Sequence, residues 1–258
     1  MSNHPALLQT AIQAARAAEE VIKHYYRSDL GVQIKADLSP VTVADIETEQ
    51  AIKQVLQQAF PDYGFFGEET GKNRTDAEFV WLVDPIDGTK SFIRGYPFFS
   101  TQIALMRGNE LILGVSNAPL FNELAYAEIG QGAFLNDVPL HVSDITLPDA
   151  ATLSFGNLKT LAGDRRWSAI GKLIRQCNRT RGYGDFYHYH LLAAGKLDIV
   201  IESDINILDV AALSVIVREA GGEVSDLTGQ PLSLSTTTIL ASNGHLHDAV
   251  LRQLDAKP

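Results

Sequence analysis

Apolar and small residues recur at Leu8, Ala11, Ile12, Ala15, Ala18, Ile22 and Tyr25. That spacing predicts a helix over about residues 5–26 with one buried stripe. The polar stretch 35–45 leads to a second predicted helix ending near Phe60-Pro61. Thr42-x-x-Asp45 at its start reads as a capping box. Five apolar residues, Phe79-Val80-Trp81-Leu82-Val83, read as a buried strand. Segments 100–106 and 111–116 flank Arg107-Gly108-Asn109-Glu110 as a hairpin, and 123–128 and 132–135 continue the antiparallel pattern. From residue 151 strands and helices alternate. Strands are expected at 151–155 and 197–201, and helices near 165–177, 185–194 and 245–254. A further helix is expected to start near Asp209, with Val210, Leu213, Val217 and Ala220 on one face and Gly221-Gly222 ending it. The polar segment 140–149, which carries Pro148, is the candidate boundary. It would separate an N-terminal α+β half, 1–145, from a C-terminal α/β half, 146–258.

Composition narrows the function. The chain has 258 residues and is 45% hydrophobic, enough for a sizeable core. Lys and Arg number 21 against 31 Asp and Glu, a formal charge of -10, with no basic run interleaved with aromatics. A nucleic-acid polymer is therefore not an expected partner. Met1-Ser2-Asn3-His4 lacks the basic start of a signal peptide, and no apolar run approaches a membrane span, so a cytoplasmic protein with no membrane partner is expected. The single cysteine, Cys177, allows neither an internal disulfide nor a thiol cluster for zinc, and packing is its expected role.

The candidate chemistry lies in carboxylates. In Asp84-Pro85-Ile86-Asp87-Gly88-Thr89, Pro85 fixes φ between two acids and Gly88 permits a sharp turn before a hydroxyl. These are also ordinary turn residues. Like charges so close raise each other's pKa unless a positive charge intervenes, and a hard divalent ion is the natural third party. Upstream, Gly67-Glu68-Glu69 places two acids on extended chain, where only one can readily face a core site. Asp209, at a helix N-terminus, is either a cap or a further ligand, and Val210-Ala211-Ala212 would let that helix end approach another element closely. Together Glu68, Asp84, Asp87 and Asp209 supply oxygen donors for two hard cations, which suits magnesium better than zinc. Such ions would also admit a phosphate ester to an acidic protein, and Thr89 would orient a water. His188 and His190 point to different helix faces and make no zinc pair. Ser154-Phe155-Gly156 is no nucleophile elbow, lacking the preceding glycine and a convincing His partner.

Gly67-Glu68-Glu69, then Trp81-Leu82-Val83-Asp84-Pro85-Ile86-Asp87-Gly88-Thr89, then Leu208-Asp209-Val210-Ala211-Ala212 with Glu219-Ala220-Gly221-Gly222 resemble, in order, the motifs of the inositol monophosphatase family of lithium-sensitive, magnesium-dependent phosphatases. The resemblance implies an α+β fold, a layered α-β-α-β-α sandwich of the inositol monophosphatase/fructose-1,6-bisphosphatase type, usually a homodimer. It implies Glu68, Asp84 and the Ile86 carbonyl as ligands of one Mg2+, and Asp84, Asp87 and Asp209 as ligands of a second. Glu68 and Thr89 then position the attacking water, Asp45 supports Thr89 and a third, weaker metal, and the N–H groups of Gly88 and Thr89 hold the phosphate. Ser91 stands where inositol-specific members usually carry Asn. Gly88-Thr89-Lys90-Ser91-Phe92-Ile93-Arg94-Gly95 and Arg179-Thr180-Arg181-Gly182-Tyr183-Gly184-Asp185-Phe186 resemble the histidinol-phosphatase branch. L-histidinol phosphate, an intermediate of histidine biosynthesis, is thus the expected substrate. Asp185 and Glu202 are candidates for its ammonium or hydroxyl groups. Inositol 1-phosphate and 3'-phosphoadenosine 5'-phosphate rank next. A non-catalytic metal- or phosphate-binding regulatory protein is the rival from another class, against which the intact Glu68 and Thr89 argue.

Overall fold

The computed structural model describes residues 4–27, 33–34 and 40–255; the polar stretch 35–39 and Met1-Ser2-Asn3 of the N-terminal reading lie outside them. The chain runs α1 (His4–Tyr25), a small ribbon of β1 (Gln33–Ile34) and β2 (Pro40–Val41), then α2 (Val43–Ala59), β3 (Gly64–Gly67), β4 (Gly71–Asn73) and β5 (Phe79–Asp87). After α3 (Thr89–Ile93) come β6 (Ser100–Arg107), β7 (Glu110–Ala118), β8 (Glu123–Glu128), β9 (Ala133–Leu135) and β10 (Val138–Leu140). The remainder is β11 (Thr152–Phe155), α4 (Leu158–Gly163), α5 (Trp167–Gln176), β12 (Arg179–Arg181), α6 (Asp185–Ala193), β13 (Ile199–Ser203), α7 (Ile207–Glu219), β14 (Glu223–Ser225), β15 (Thr238–Ser242) and α8 (His247–Asp255).

Two sheets result. One has eight strands in the order β10-β9-β8-β7-β6-β5-β3-β4, and the other five in the order β12-β11-β13-β15-β14. Pairing in the first is antiparallel except between β3 and β5. In the second, β11 lies parallel to both β12 and β13.

The side-chain alternation of β5 sets the layers, because successive residues of a strand face opposite sides. Trp81 and Val83 pack with Ala11, Ala15 and Ala18 of α1 and with Ile52 and Leu56 of α2. Val80 and Leu82 turn the other way, toward Phe186, Tyr189 and Leu192 of α6 and Leu208, Ala212 and Val215 of α7. The same middle core takes in Val200, Ile239 and Ala241 from the second sheet. Leu153, Ile199 and Leu240 on that sheet's far side meet Leu161 of α4, Ile170 and Leu173 of α5 and Val250 of α8. The product is the expected α+β sandwich of helix pair, sheet, helix pair, sheet and helices. Burial of these side chains is its main stabilisation.

At Gly114 of β7 a Cβ would lie 2.2 Å from the Ala212 carbonyl oxygen. The small residues of Val210-Ala211-Ala212 and this glycine let α7 settle directly on the first sheet. The two sheets come from opposite sides of the 140–149 segment, yet α7 packs on the first.

Three local expectations shift. β5 does not end before the acids but runs through Asp84 to Asp87, with a break in register between them. Pro85 has no N–H for the ladder, so the strand bulges and resumes where Asp87 meets Ser100. α7 begins at Ile207 because Asn206, not Asp209, is its N-cap. β13 occupies Ile199–Ser203, two residues beyond the expected span, which carries Glu202 into the strand. Cys177 caps the C-terminus of α5, half-buried against the outer core, where burial pushes its thiol up to about 11. Among the described residues no helix is long and apolar enough to cross a membrane.

Candidate active site

The bulge in β5 fixes the centre. Asp84 and Asp87 stand on either side of it, and α7 brings Asp209 from the other half of the chain. One carboxylate oxygen from each lies within 4.8 Å of the others. The bulge is braced from within: Ile86 N–H donates to Asp84 Oδ1 at 3.0 Å, and Thr101 Oγ1 donates to the Pro85 carbonyl at 2.9 Å. The chain then turns at Gly88, whose φ is +91°. A Cβ there would lie 2.6 Å from the Phe98 carbonyl, so both the conformation and the space require glycine.

Thr89 opens α3 with its hydroxyl 3.0 Å from the Ile86 carbonyl and 3.2 Å from Asp45 Oδ1. One hydroxyl has one proton, so it donates to one of these at a time. Asp45 and Asp209 are built alike. Each is the third residue of its helix and closes a capping box, with Thr42 and Asn206 as the N-caps. Thr42 donates both its N–H and its hydroxyl to Asp45 Oδ2 at 2.7 Å, and Asn206 N–H donates to Asp209 Oδ2 at 2.8 Å. Capping occupies one oxygen of each carboxylate and leaves the other for a second partner, so the cap does not compete with a further role.

Glu68 follows β3, its N–H bonded to the Val83 carbonyl at 3.1 Å. It lines the cleft, and it shares a hydrogen bond with Asp84. The backbone just beyond is held by Glu49 of α2, which accepts from Glu69 N–H and Thr70 N–H at 2.8 Å each. Gly67 makes room for it: a Cβ there would fall 2.5 Å from the Glu49 carboxylate.

Of these groups Glu68, Asp84, Ile86, Asp87, Gly88, Thr89 and Asp209 line a cleft of about 230 Å3. Glu68, Asp84, Asp87, Asp185, Asp204 and Asp209 face it, with Lys90 as the one cationic lining residue among those described. Burial, then repulsion from Glu68, Asp87 and Asp209, raises Asp84 well above the usual carboxylate range. Burial, then Asp185, Asp209, Glu202 and Glu68, does the same to Asp87. Asp209 is pushed up to about 7, mainly by burial and against the Asn206 N–H, with Glu68, Glu202 and Asp185 adding repulsion. Asp45 is raised by burial, while the Thr42 and Thr89 hydrogen bonds pull it back. Asp87 Oδ2 is buried without a hydrogen-bond partner. A buried, unpartnered acceptor among mutually repelling acids fits a bound cation, and an all-oxygen donor set fits a hard one.

Asp185, first residue of α6, reaches the same cleft with φ +47° and is pushed up to about 6, chiefly by burial and then by Glu202. Glu202 lies deeper, in a side pocket of about 50 Å3 that also involves Asp87, Asp185, Tyr189 and Asp209. His188 and His190 do face different partners, Ser154 with Glu202 and Ser116 with Glu123. One expectation fails here: Ser154 has a histidine neighbour, His188 Nδ1, at 3.4 Å. Ser154 is nevertheless fully buried in β11 and its Oγ accepts Tyr183 N–H at 3.2 Å, so no substrate reaches it.

Sequence reading missed Glu49, Asn157 and Asp204. Glu49 sits with Asp45, Thr48, Ile52 and Leu56 on the buried stripe of α2. An acid on such a stripe was the available signal. Asn157, at φ +51°, donates to the Ser203 and Asp204 carbonyls at 2.8 and 3.2 Å and holds that rim of the cleft. Nothing in its local sequence announced this.

The family model for the inositol monophosphatase family matches residues 4–258. The chain belongs to the inositol monophosphatase family. It is 37% identical over 259 residues to a histidinol-phosphatase of Mycobacterium tuberculosis, covering 98% of this chain and 99% of that one. It is 36% identical to a histidinol-phosphatase of Chlorobaculum parvum, covering 92% of each. The solved inositol monophosphatase of Anabaena (Nostoc) sp. PCC 7120 superposes with a TM-score of 0.86 at 29% identity, covering 100% of this chain and 98% of that one. This inositol monophosphatase family member is a phosphoric monoester hydrolase.

Proposed function

We propose that this phosphatase hydrolyses L-histidinol phosphate to L-histidinol and inorganic phosphate, with Mg2+ at the carboxylate cluster. The likeness to the histidinol-phosphatases named above carries the substrate, and Ser91 and the Arg179-to-Phe186 stretch agree with it. Two Mg2+ ions, with a third held weakly near Asp45, would be bound by Glu68, Asp84, the Ile86 carbonyl, Asp87 and Asp209 and would supply charge neutralisation at the phosphoryl oxygens and a lowered pKa for water.

The chain's own groups do the rest. Were the Ile86 carbonyl to serve as a metal ligand, the Thr89 hydroxyl would donate its hydrogen bond to Asp45, and its oxygen would be left to accept one from the attacking water. Glu68 accepts the water's other proton. Together they aim a lone pair at phosphorus; as the new O–P bond forms, the opposite ester P–O bond breaks and the leaving alkoxide takes a proton from water in the open cleft. Backbone N–H groups of Gly88 and Thr89 hold the phosphate. Asp185 in the cleft and Glu202 in the side pocket are the anionic partners for the ammonium of an aminoalcohol. The same reading carries a cytoplasmic homodimer and a division near residue 145, the first half supplying most ligands and the second Asp209.

Inositol 1-phosphate is the second reading, favoured by the likeness to the Anabaena structure. Phosphate release from L-histidinol phosphate, inositol 1-phosphate and 3'-phosphoadenosine 5'-phosphate, each with Mg2+ and with chelator, tests the choice. The expected result is Mg2+-dependent release with the highest kcat/KM on L-histidinol phosphate. A higher kcat/KM on inositol phosphate would overturn the substrate, and no turnover on any ester would restore the regulatory alternative.

A further inference from the structure

Glu202 is held by a chain of buried groups that the hydrolytic machinery does not use. It is 6% exposed on β13, and its Oε2 accepts from the Tyr189 hydroxyl at 3.0 Å and lies 3.1 Å from His188 Nε2. Because the atom facing Nε2 is a carboxylate oxygen, the hydrogen-bond network places a proton on that nitrogen. The opposite nitrogen, Nδ1, lies 3.4 Å from Ser154 Oγ, which itself accepts Tyr183 N–H at 3.2 Å. His188, Tyr189 and Ser154 are all essentially solvent-free. The result is a continuous path from the backbone of Tyr183, two residues before Asp185, to one oxygen of Glu202.

The other oxygen is unlike it. Glu202 Oε1 lies against Gly156, where a Cβ would come within 1.9 Å of it. Two donors hold Oε2 while Gly156 gives Oε1 its space, so the carboxylate, which borders the side pocket, is fixed with Oε1 engaged by neither donor. That pocket, about 50 Å3 and bordered by Asp185 and Tyr189, has room for one group the size of a water or an ammonium, since a water occupies about 30 Å3.

We infer that His188 is a positioning residue, which with Tyr189 and Gly156 holds Glu202 so that its open oxygen selects substrates carrying a protonated amine beside the phosphate ester. This rests on the aminoalcohol phosphate reading of the site. The residues act through Glu202 and touch neither the phosphate nor the reacting water.

The test compares L-histidinol phosphate with its deaminated counterpart, 3-(imidazol-4-yl)propyl phosphate, in the Mg2+-loaded full-length enzyme. Wild type is expected to prefer the amine. His188→Gln and Gly156→Ala are each expected to reduce that preference about tenfold, as loss of a well-placed charged hydrogen bond does, through a raised KM for the amine and not a lowered kcat. Tyr189→Phe removes a hydroxyl alone and serves if the His188 substitution fails to fold. A wild type indifferent to the amine overturns the substrate reading beneath the inference. A wild type that prefers it, with all folded variants keeping the preference or losing kcat equally on both esters, overturns the positioning role itself.

Discussion

Thr89 and Asp45, 44 positions apart in sequence, meet at 3.2 Å, and the Asp45 oxygen that Thr89 does not use is locked by two hydrogen bonds from Thr42. The cap of α2 and the hydroxyl at the start of α3 thus share one carboxylate. A helix cap is a rigid mount, because moving it costs about 1 kcal/mol of helix stability before anything else is lost.

Thr89→Ala should therefore cut kcat on the preferred ester by about a hundredfold or more, the usual scale for losing a positioned proton-transfer group. Thr89→Ser, which keeps the hydroxyl, should retain most activity. Since Thr89 contributes little to the helix cap, the melting temperature of both variants should stay close to that of wild type. Steady-state kinetics with thermal melts decide it, and near-normal kcat in Thr89→Ala would remove the hydroxyl from the mechanism.

Asp87→Asn replaces a buried charge that is repelled by its neighbours and has one unpartnered oxygen. In the metal-free protein that should be neutral or stabilising, and a gain of about 1 kcal/mol would raise the melting temperature by roughly 2–4 °C at this size. Turnover should disappear, and added Mg2+ should no longer raise the melting point. A variant that stays active, or that still shows the full Mg2+ shift, would sink the assignment of Asp87 as a ligand.

Acidity should stabilise the metal-free fold. Asp84, Asp87, Asp185 and Asp209 are all raised, Asp185 to about 6 and Asp209 to about 7. Between roughly pH 4 and 7 the folded chain keeps protons that the unfolded chain has lost, so stability is full below the unfolded values and declines as pH rises through the folded ones. Glu19 and Asp226, held low, work the opposite way below about pH 4, and His247, lowered by burial, does so below about pH 6.5, one group against the four raised acids. Melts in chelator at pH 5, 6.5 and 8 should show a falling transition temperature, and Mg2+, which competes with these protons, should stabilise most at pH 8. A metal-free melting point that is flat or rises over this range contradicts the repulsive cluster.

Short-range patterns made much of this site legible. The apolar run before Asp84, the Thr42-x-x-Asp45 box and the small residues after Asp209 each have a local cause, and the elements they announce are present. What they could not reveal was how far β5 runs. An Asp-Pro step reads as an ending, whereas the ladder skips Pro85 and resumes at Asp87 because Ser100 is there to pair with it. Nor could sequence place His188 against Glu202, or Glu49 under Gly67, since both contacts depend on the packing of elements distant in the chain. In each case a polar side chain on an otherwise buried face was the only trace.

Glu49 makes the last prediction, because its effect is carried through backbone alone. It is fully buried, and its two oxygens accept the N–H groups of Glu69 and Thr70, which immediately follow Glu68. A glutamine has one acceptor oxygen where the glutamate has two, so Glu49→Gln must lose at least one of these bonds or set an NH2 against an N–H. A stability loss of about 1–3 kcal/mol is expected. The chain beside Glu68 would also be freed to move, and a ligand that is no longer held pays an ordering cost on binding. The Mg2+ concentration for half-maximal activity should therefore rise severalfold while kcat at saturating Mg2+ changes little. Activity titrations with Mg2+ at a temperature well below the variant's melting point separate the two effects: lowered stability with an unchanged Mg2+ requirement would confine Glu49 to the fold.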